Sequence, residues 1–147
     1  MLKTVLAFRN RASVAGYRMS AGRLGGRAAG LPVLLLTVPG RRTRVPRTTP
    51  VCYLERGDAY VVVGSAYGSK TDPDWIRNLA ATEFARIRIR GQEWEVSARI
   101  ATGAERDRLW RRTIVPAAPA IAKHEARSGR MFPVAVLTRP SRADGRD

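Results

Sequence analysis

The stretch "LPVLLLTVPGRRTRVPRTTPVCYLERGDAYVVVG", residues 31–64, decides the fold. Its first eight residues form a continuous apolar run of strand length, the signature of a buried strand. "RTTPVCYLE" and "AYVVVGSA" then flank Arg56-Gly57-Asp58, a glycine-containing loop that joins two strands into a hairpin. Between the first strand and this hairpin, Arg41, Arg42, Arg44 and Arg47 crowd into seven positions among Gly, Thr and Pro. A connecting turn does not need that much charge.

Further along, "EFARIRIR" and "EWEVSARIA" alternate strictly about Gly91-Gln92, which predicts a second hairpin. Ile87, Ile89, Trp94 and Val96 take its inward face, while arginines and glutamates take the outward one. "FPVAVLT" supplies a short closing strand. Helices separate these strands. Asp72-Pro73-Asp74-Trp75 reads as a helix start, with Asp72 as N-cap and Pro73 in the first turn. Thr102-x-x-Glu105 has the spacing of a capping box opening a helix that Pro116 ends. "APAIAKHEARSG" is a last helix stopping at Gly129. About six strands with helices inserted late predict a closed or nearly closed antiparallel barrel, since flat edges would otherwise be exposed.

Residues 2–20 look helical, with apolar positions alternating with basic ones, and "AGRLGGRAAG" is a basic, Gly-rich connector. The organisation read from the sequence is an N-terminal basic helix and connector over 1–30, a barrel domain over 31–139 and a flexible tail over 140–147. With 44% hydrophobic residues, a chain of 147 residues can bury a proper core. No stretch approaches the roughly 20 apolar residues that span a bilayer, and no signal peptide is evident. A cytoplasmic location is the expectation. The basic first helix also allows attachment at the inner face of the cell membrane. Covering a barrel opening or a dimer partner explains that helix equally well.

The net charge of +15 is unevenly spread: ten Lys and Arg residues precede the first acidic residue, Glu55. Such asymmetry implies an anionic partner. The usual catalytic sets are mostly missing. His124 is the only histidine and Cys52 the only cysteine, so neither a metal site nor a triad built on several imidazoles is expected. Cys52, between bulky apolar neighbours, reads as an inert buried thiol. No Walker A or dinucleotide-binding glycine pattern stands at a strand-to-helix junction. The arginine loop is the better candidate: Gly40 permits a tight turn, guanidinium forks bind phosphate or carboxylate bidentately, and Thr43, Thr48 and Thr49 add hydroxyls. Downstream, Gly64-Ser65-Ala66 ends a strand in small residues that let a flat ring approach the backbone. Ser65 can donate to such a ring and Trp75 can wall it. The plainer reading makes Trp75 a core anchor and the loop a solvated hairpin.

In order, these motifs resemble the deazaflavin-dependent nitroreductase family, which includes quinone reductases that use reduced coenzyme F-420. The family's T-x-x-G-[RK]-[KR]-[ST] turn matches Thr37 to Thr43, and its P-R-x-x-P matches Pro46 to Pro50. Its small-Ser strand end matches Gly64-Ser65, and its H-P-x-W-x-x-N-L matches Asp72 to Leu79. The resemblance covers about residues 31 to 138. It implies the split β-barrel fold of flavin-binding, pyridoxamine-phosphate-oxidase-like proteins. It also implies that Gly40, Arg41, Arg42, Thr43, Arg47 and Thr49 hold the coenzyme's phosphate and glutamyl tail. Pro50, Val63, Ser65, Tyr67, Gly68, Trp75 and Asn78 would surround the deazaflavin end.

Five positions depart from the pattern. Ala66 stands where many members carry lysine, and Asp72 replaces the histidine before Pro73. Ala118, Ile121 and His124 occupy positions where nitroimidazole-reducing members place tyrosines over the substrate. The implied activity is hydride transfer from the reduced coenzyme to a quinone or another oxidised organic acceptor. Ser65 would polarise the ring, and His124 or solvent would supply the proton. FMN or haem in the same barrel is one alternative. A non-enzymatic nucleic-acid binder is another, disfavoured because no aromatics interleave with the basic loop.

Overall fold

The computed structural model describes residues 2–23, 25–28, 30–65 and 70–140. In chain order the elements are α1 (Leu2–Met19), β1 (Arg27–Ala28), β2 (Leu31–Pro39), β3 (Pro46–Arg56), β4 (Ala59–Val63), α2 (Asp74–Ala80), β5 (Phe84–Ile89) and β6 (Gln92–Ala101). Then come α3 (Gly103–Leu109), a π turn (Trp110–Ile114), α4 (Val115–Ala117), α5 (Pro119–Ser128) and β7 (Val134–Thr138).

Six strands run β2-β3-β4-β7-β6-β5, each antiparallel to its neighbours, and β5 pairs back onto β2. The sheet therefore closes on itself, as expected for about six strands whose edges would otherwise be exposed. The apolar run of β2 is explained by burial on both sides. Leu34, Leu36 and Val38 join the barrel interior, whereas Val33 and Leu35 lie under α1 with Val14 and Tyr17. Fully burying side chains of this size stabilises by about 1.5–3 kcal/mol each. From the second hairpin, Ile87 and Val96 are fully buried, and Ile89 and Trp94 pack against the same interior. A second apolar cluster covers the outer face, where Leu109, Trp110 and Ile114 meet Val61, Phe132, Val134 and Val136.

The N-terminal helix covers the barrel wall, not an opening. Besides its apolar contacts, Asn10 donates to the Thr48 carbonyl at 2.8 Å, and the Tyr17 hydroxyl donates to the Val33 carbonyl at 3.0 Å. Residues of the connector add β1, paired beside the first residues of β2 with Arg27 opposite Pro32. A ladder of two residues leaves no periodicity, so the sequence does not show it. Among the described residues no helix is long and apolar enough to cross a membrane.

Local details differ from expectation in four places. In the second hairpin Ile89 pairs with Gln92, so the turn is Arg90-Gly91, one residue earlier than expected. Arg90 takes the left-handed conformation at φ 57°, and its N–H donates to the Tyr17 hydroxyl at 2.8 Å, which holds a non-glycine residue there. At α2 the N-cap is Pro73 without a side-chain cap; the Asp72 carboxylate instead accepts from Arg130 Nη1 at 2.5 Å. At α3, Thr102 makes no capping bond and Glu105 pairs with Arg99. Pro116 lies inside α4, because the wider π turn before it admits a ring that lacks an N–H, and the break comes at Ala118 with φ −144°. The first hairpin and the end of α5 follow the sequence. Arg56 pairs with Ala59 across Gly57-Asp58 with Gly57 at φ 62°, and Gly129 closes α5 at φ 68°.

Candidate functional site

Antiparallel pairing puts the C-terminal end of β2, the start of β3, the end of β4, the start of β7 and the end of β6 at one mouth of the barrel. Pro39 faces Pro46, Val63 faces Val134, and Val134 faces Ala101. The candidate residues Gly40, Arg41, Arg42, Thr43 and Arg47 gather there with Val63, Ser65, Trp75 and Asn78. α2 sits at this mouth, burying Trp75, Ile76 and Leu79 in the interior cluster. The small strand end has a packing reason: a Cβ on Gly64 would lie 2.8 Å from both Ile76 Cγ1 and Pro133 Cγ.

The arginine loop is a closed turn. Gly40 N–H donates to the Val45 carbonyl at 2.9 Å and Arg44 N–H to the Gly40 carbonyl at 2.8 Å, with Arg44 left-handed at φ 62°. The Thr43 hydroxyl accepts from Val45 N–H at 3.3 Å. Space beside Gly40 is already taken, since a Cβ there would lie 3.0 Å from Thr43 Oγ1 and 3.2 Å from the Val45 carbonyl. Asn78, 5% exposed, fastens this loop to α2. Its Oδ1 accepts from the Arg41 backbone N–H at 3.1 Å and from Arg41 Nη1 at 2.9 Å. Asp74 lies 3.8 Å from Arg41 Nη2. Arg41 is thus oriented by the protein. Arg42, Arg44 and Arg47 are exposed, and among the described residues no carboxylate lies within ion-pair distance of them. Thr49 is half-buried.

The other expected ring-side residues are distributed over both faces. Pro50 alternates with the interior residues Val51 and Tyr53 and so lies on the outer face, opposite Leu35. Val63 and Ile121 both border the outer apolar cluster, which brings the end of β4 and the late helix together. Ala118 is buried, and His124 is exposed on α5. Ser65 is half-buried, and its hydroxyl has no hydrogen-bond partner among the described residues. Tyr67 and Gly68 lie outside the described residues. Burial pushes the Cys52 thiol above its ordinary pKa, in keeping with an unreactive role.

Two arginines that the sequence does not mark hold the site's frame. Arg130, in the connector before β7, donates to the Gly64 carbonyl at 3.2 Å, the Ser65 carbonyl at 3.0 Å and the Asp72 carboxylate at 2.5 Å. Arg106, 7% exposed, bonds Glu125 at 2.6 Å and the Phe132 carbonyl at 2.8 Å, tying α3 to α5 and the start of β7. Neither has a local pattern in the sequence; their partners lie far along the chain. A separate concavity of about 310 Å³ opens near Arg56, Asp58 and Arg108, beside the β3–β4 turn at the opposite end of the strands.

These strands, their order and this mouth define a split β-barrel protein. An "F420-H2 Dependent Reductase" of known structure superposes with a TM-score of 0.64 at 26% identity, covering 72% of this chain and 93% of the other. The haem storage protein HutZ of Vibrio cholerae shares the fold at 12% identity with a TM-score of 0.55, over 88% of this chain and 89% of its own. The family model described as F420H(2)-dependent quinone reductase matches residues 9–139, and the chain belongs to that family. An F420H(2)-dependent quinone reductase of Mycobacterium tuberculosis is 36% identical over 126 residues, covering 84% of this chain and 85% of its own.

Proposed function

We propose that this protein transfers a hydride from reduced coenzyme F-420 to a quinone. The observation that carries the reading is the pairing, at one barrel mouth, of an exposed arginine loop with a serine whose hydroxyl has no hydrogen-bond partner among the described residues. The residues fit the coenzyme. Exposed guanidinium groups suit a phosphodiester followed by carboxylates, since arginine forks bind both without leaving a buried charge unpaired. A solvated loop without a ligand would keep several like charges close together at a net electrostatic cost.

When bound, the coenzyme supplies the hydride; the protein's part is to hold, orient and exclude water. Arg41, locked on Asn78, presents a pre-set donor toward the tail, while Arg42 and Arg47 neutralise it from the exposed side of the loop. Tail binding of this kind is remote from the reacting atom and is used to position it. Ser65 would donate a hydrogen bond to the ring end. Val63 and Ile121 offer an apolar boundary on the late-helix side, suited to a flat, lipid-like acceptor. The site offers no buried general acid among the described residues, which fits reduction of a quinone, an acceptor that takes its protons readily from solvent.

The test is coenzyme oxidation, followed by absorbance, against quinones, enones and nitroaromatics, beside titrations with FMN and haem. Oxidation with quinones exceeding that with nitroaromatics is expected. Tight FMN or haem binding with no coenzyme oxidation would overturn the proposal.

A further inference from the structure

We infer that Arg130 is a positioning residue for the reaction: it clamps the end of β4 so that Ser65 meets the coenzyme ring in one orientation. This rests on the proposed function above. Arg130 spans three pieces of chain. Nη1 reaches both the Gly64 carbonyl and the Asp72 carboxylate, and Nη2 reaches the Ser65 carbonyl. The two carbonyls belong to the peptide groups on either side of Ser65 Cα, so their capture fixes the rotation of the residue whose hydroxyl is left for the ligand. Asp72 directly precedes Pro73, the N-cap of α2, the helix that holds Arg41 through Asn78. One guanidinium therefore ties the ring end of the site to the helix that supports the tail end.

The clamp is itself held. Its side chain is only 14% exposed, and the guanidinium carbon lies 4.7 Å over the ring of Phe132, which is fully buried. Arg130 N–H donates to the Ser128 hydroxyl at 3.1 Å, just past the left-handed Gly129 that ends α5. Phe132 is fastened at both backbone groups: its N–H donates to Glu125 Oε2 at 2.8 Å, and its carbonyl accepts from Arg106. A flat fork making several charge-assisted bonds in a fixed plane cannot be reproduced by a lysine ammonium, which reaches fewer acceptors at once. Asp72, which the family pattern would replace with histidine, is thus a counter-charge for Arg130 and not a helix cap.

The test compares wild type with Arg130→Ala, Arg130→Lys and Asp72→Asn. Three readouts are followed: amide exchange at Gly64 by NMR without coenzyme, coenzyme affinity, and the single-turnover rate of coenzyme oxidation by a quinone. Gly64 N–H donates to the Pro133 carbonyl at 2.8 Å, so it reports directly on the strand end. Arg130→Ala is expected to speed that exchange at least tenfold and to slow single turnover at least tenfold, with affinity changed less than threefold. Arg130→Lys and Asp72→Asn should fall between it and wild type, and they carry the test if the alanine variant does not fold. Unchanged exchange and turnover in all three variants would overturn the clamp. Faster exchange with unchanged turnover would leave Arg130 a structural residue only and overturn its positioning role. A wild type that binds no coenzyme would overturn the proposed function and this role together, a result that the exchange measurement distinguishes from failure of the clamp alone.

Discussion

Removing Asn78 should loosen the arginine loop and weaken coenzyme binding at once, and the structure sets the size of both effects. Asn78 Oδ1 is the acceptor for two Arg41 donors, one backbone N–H at 3.1 Å and one guanidinium N–H at 2.9 Å. A neutral hydrogen bond contributes about 1 kcal/mol net and one to a charged group about 1.5–3 kcal/mol. Asn78→Ala should therefore cost about 2–4 kcal/mol. For a chain of this length about 3–4 °C of melting temperature accompanies each kcal/mol, giving a fall of roughly 6–16 °C. Arg41→Ala removes only the guanidinium bond and keeps the backbone one, so it should cost less, about 1.5–3 kcal/mol. Because the side-chain bond is shared, the double variant should be less destabilised than the sum of the singles, by about 1.5 kcal/mol or more. The assay is denaturant unfolding of the four proteins, with coenzyme affinity measured on each. Effects that add to within about 0.5 kcal/mol would refute the view that Asn78 acts through Arg41.

Three further outcomes are expected. Gly64→Ala places a methyl 2.8 Å from Ile76 and from the stiff ring of Pro133, so it should destabilise by about 1–3 kcal/mol in thermal unfolding. Ser65→Ala should leave melting temperature nearly unchanged while slowing single-turnover coenzyme oxidation by about tenfold, the worth of one hydrogen bond of about 1.4 kcal/mol. The Arg99 guanidinium holds the Glu105 carboxyl below its ordinary pKa. A depressed folded value means that the pair's small, solvent-screened contribution is present above about pH 4.3 and is lost as the pH falls further. The stability gap between wild type and Arg99→Ala should accordingly narrow in unfolding curves taken at pH 3 relative to pH 7.

The strands were legible because each carries its own period. Ile87, Ile89, Trp94 and Val96 alternate with charged residues, and Leu31 to Val38 are apolar on both faces because α1 covers one of them. The N-terminal caps of α2 and α3 were not legible, for a shared reason. Asp72 and Glu105 stand at good capping positions, yet each has an arginine in space that outcompetes the backbone N–H groups, Arg130 from 58 positions away and Arg99 from the preceding strand. The turn at Arg90 was displaced by a hydrogen bond from 73 positions away, to Tyr17. At the site, the loop from Gly40 to Arg47 stood out as a candidate from its own composition. Asn78 was visible only through the family pattern, and its role as the fastener of Arg41 depends on pairing across 37 positions. Arg130 was invisible because an arginine between Gly129 and Met131 looks like any solvated charge until the ends of β4 and α5 are brought together.

The central claim, that the loop's arginines grip a polyanionic tail while the ring rests at the end of β4, is tested most directly by titrating two ligands into two proteins. The ligands are the coenzyme and a form of it cut back to the ring and its sugar-alcohol chain, and the proteins are wild type and an Arg42→Ala/Arg47→Ala variant. Wild type should prefer the full coenzyme by at least about a hundredfold, as two charge-assisted contacts of roughly 1.5 kcal/mol each require. The variant should lose most of that preference while binding the truncated form as wild type does. Equal preference in both proteins would contradict the account.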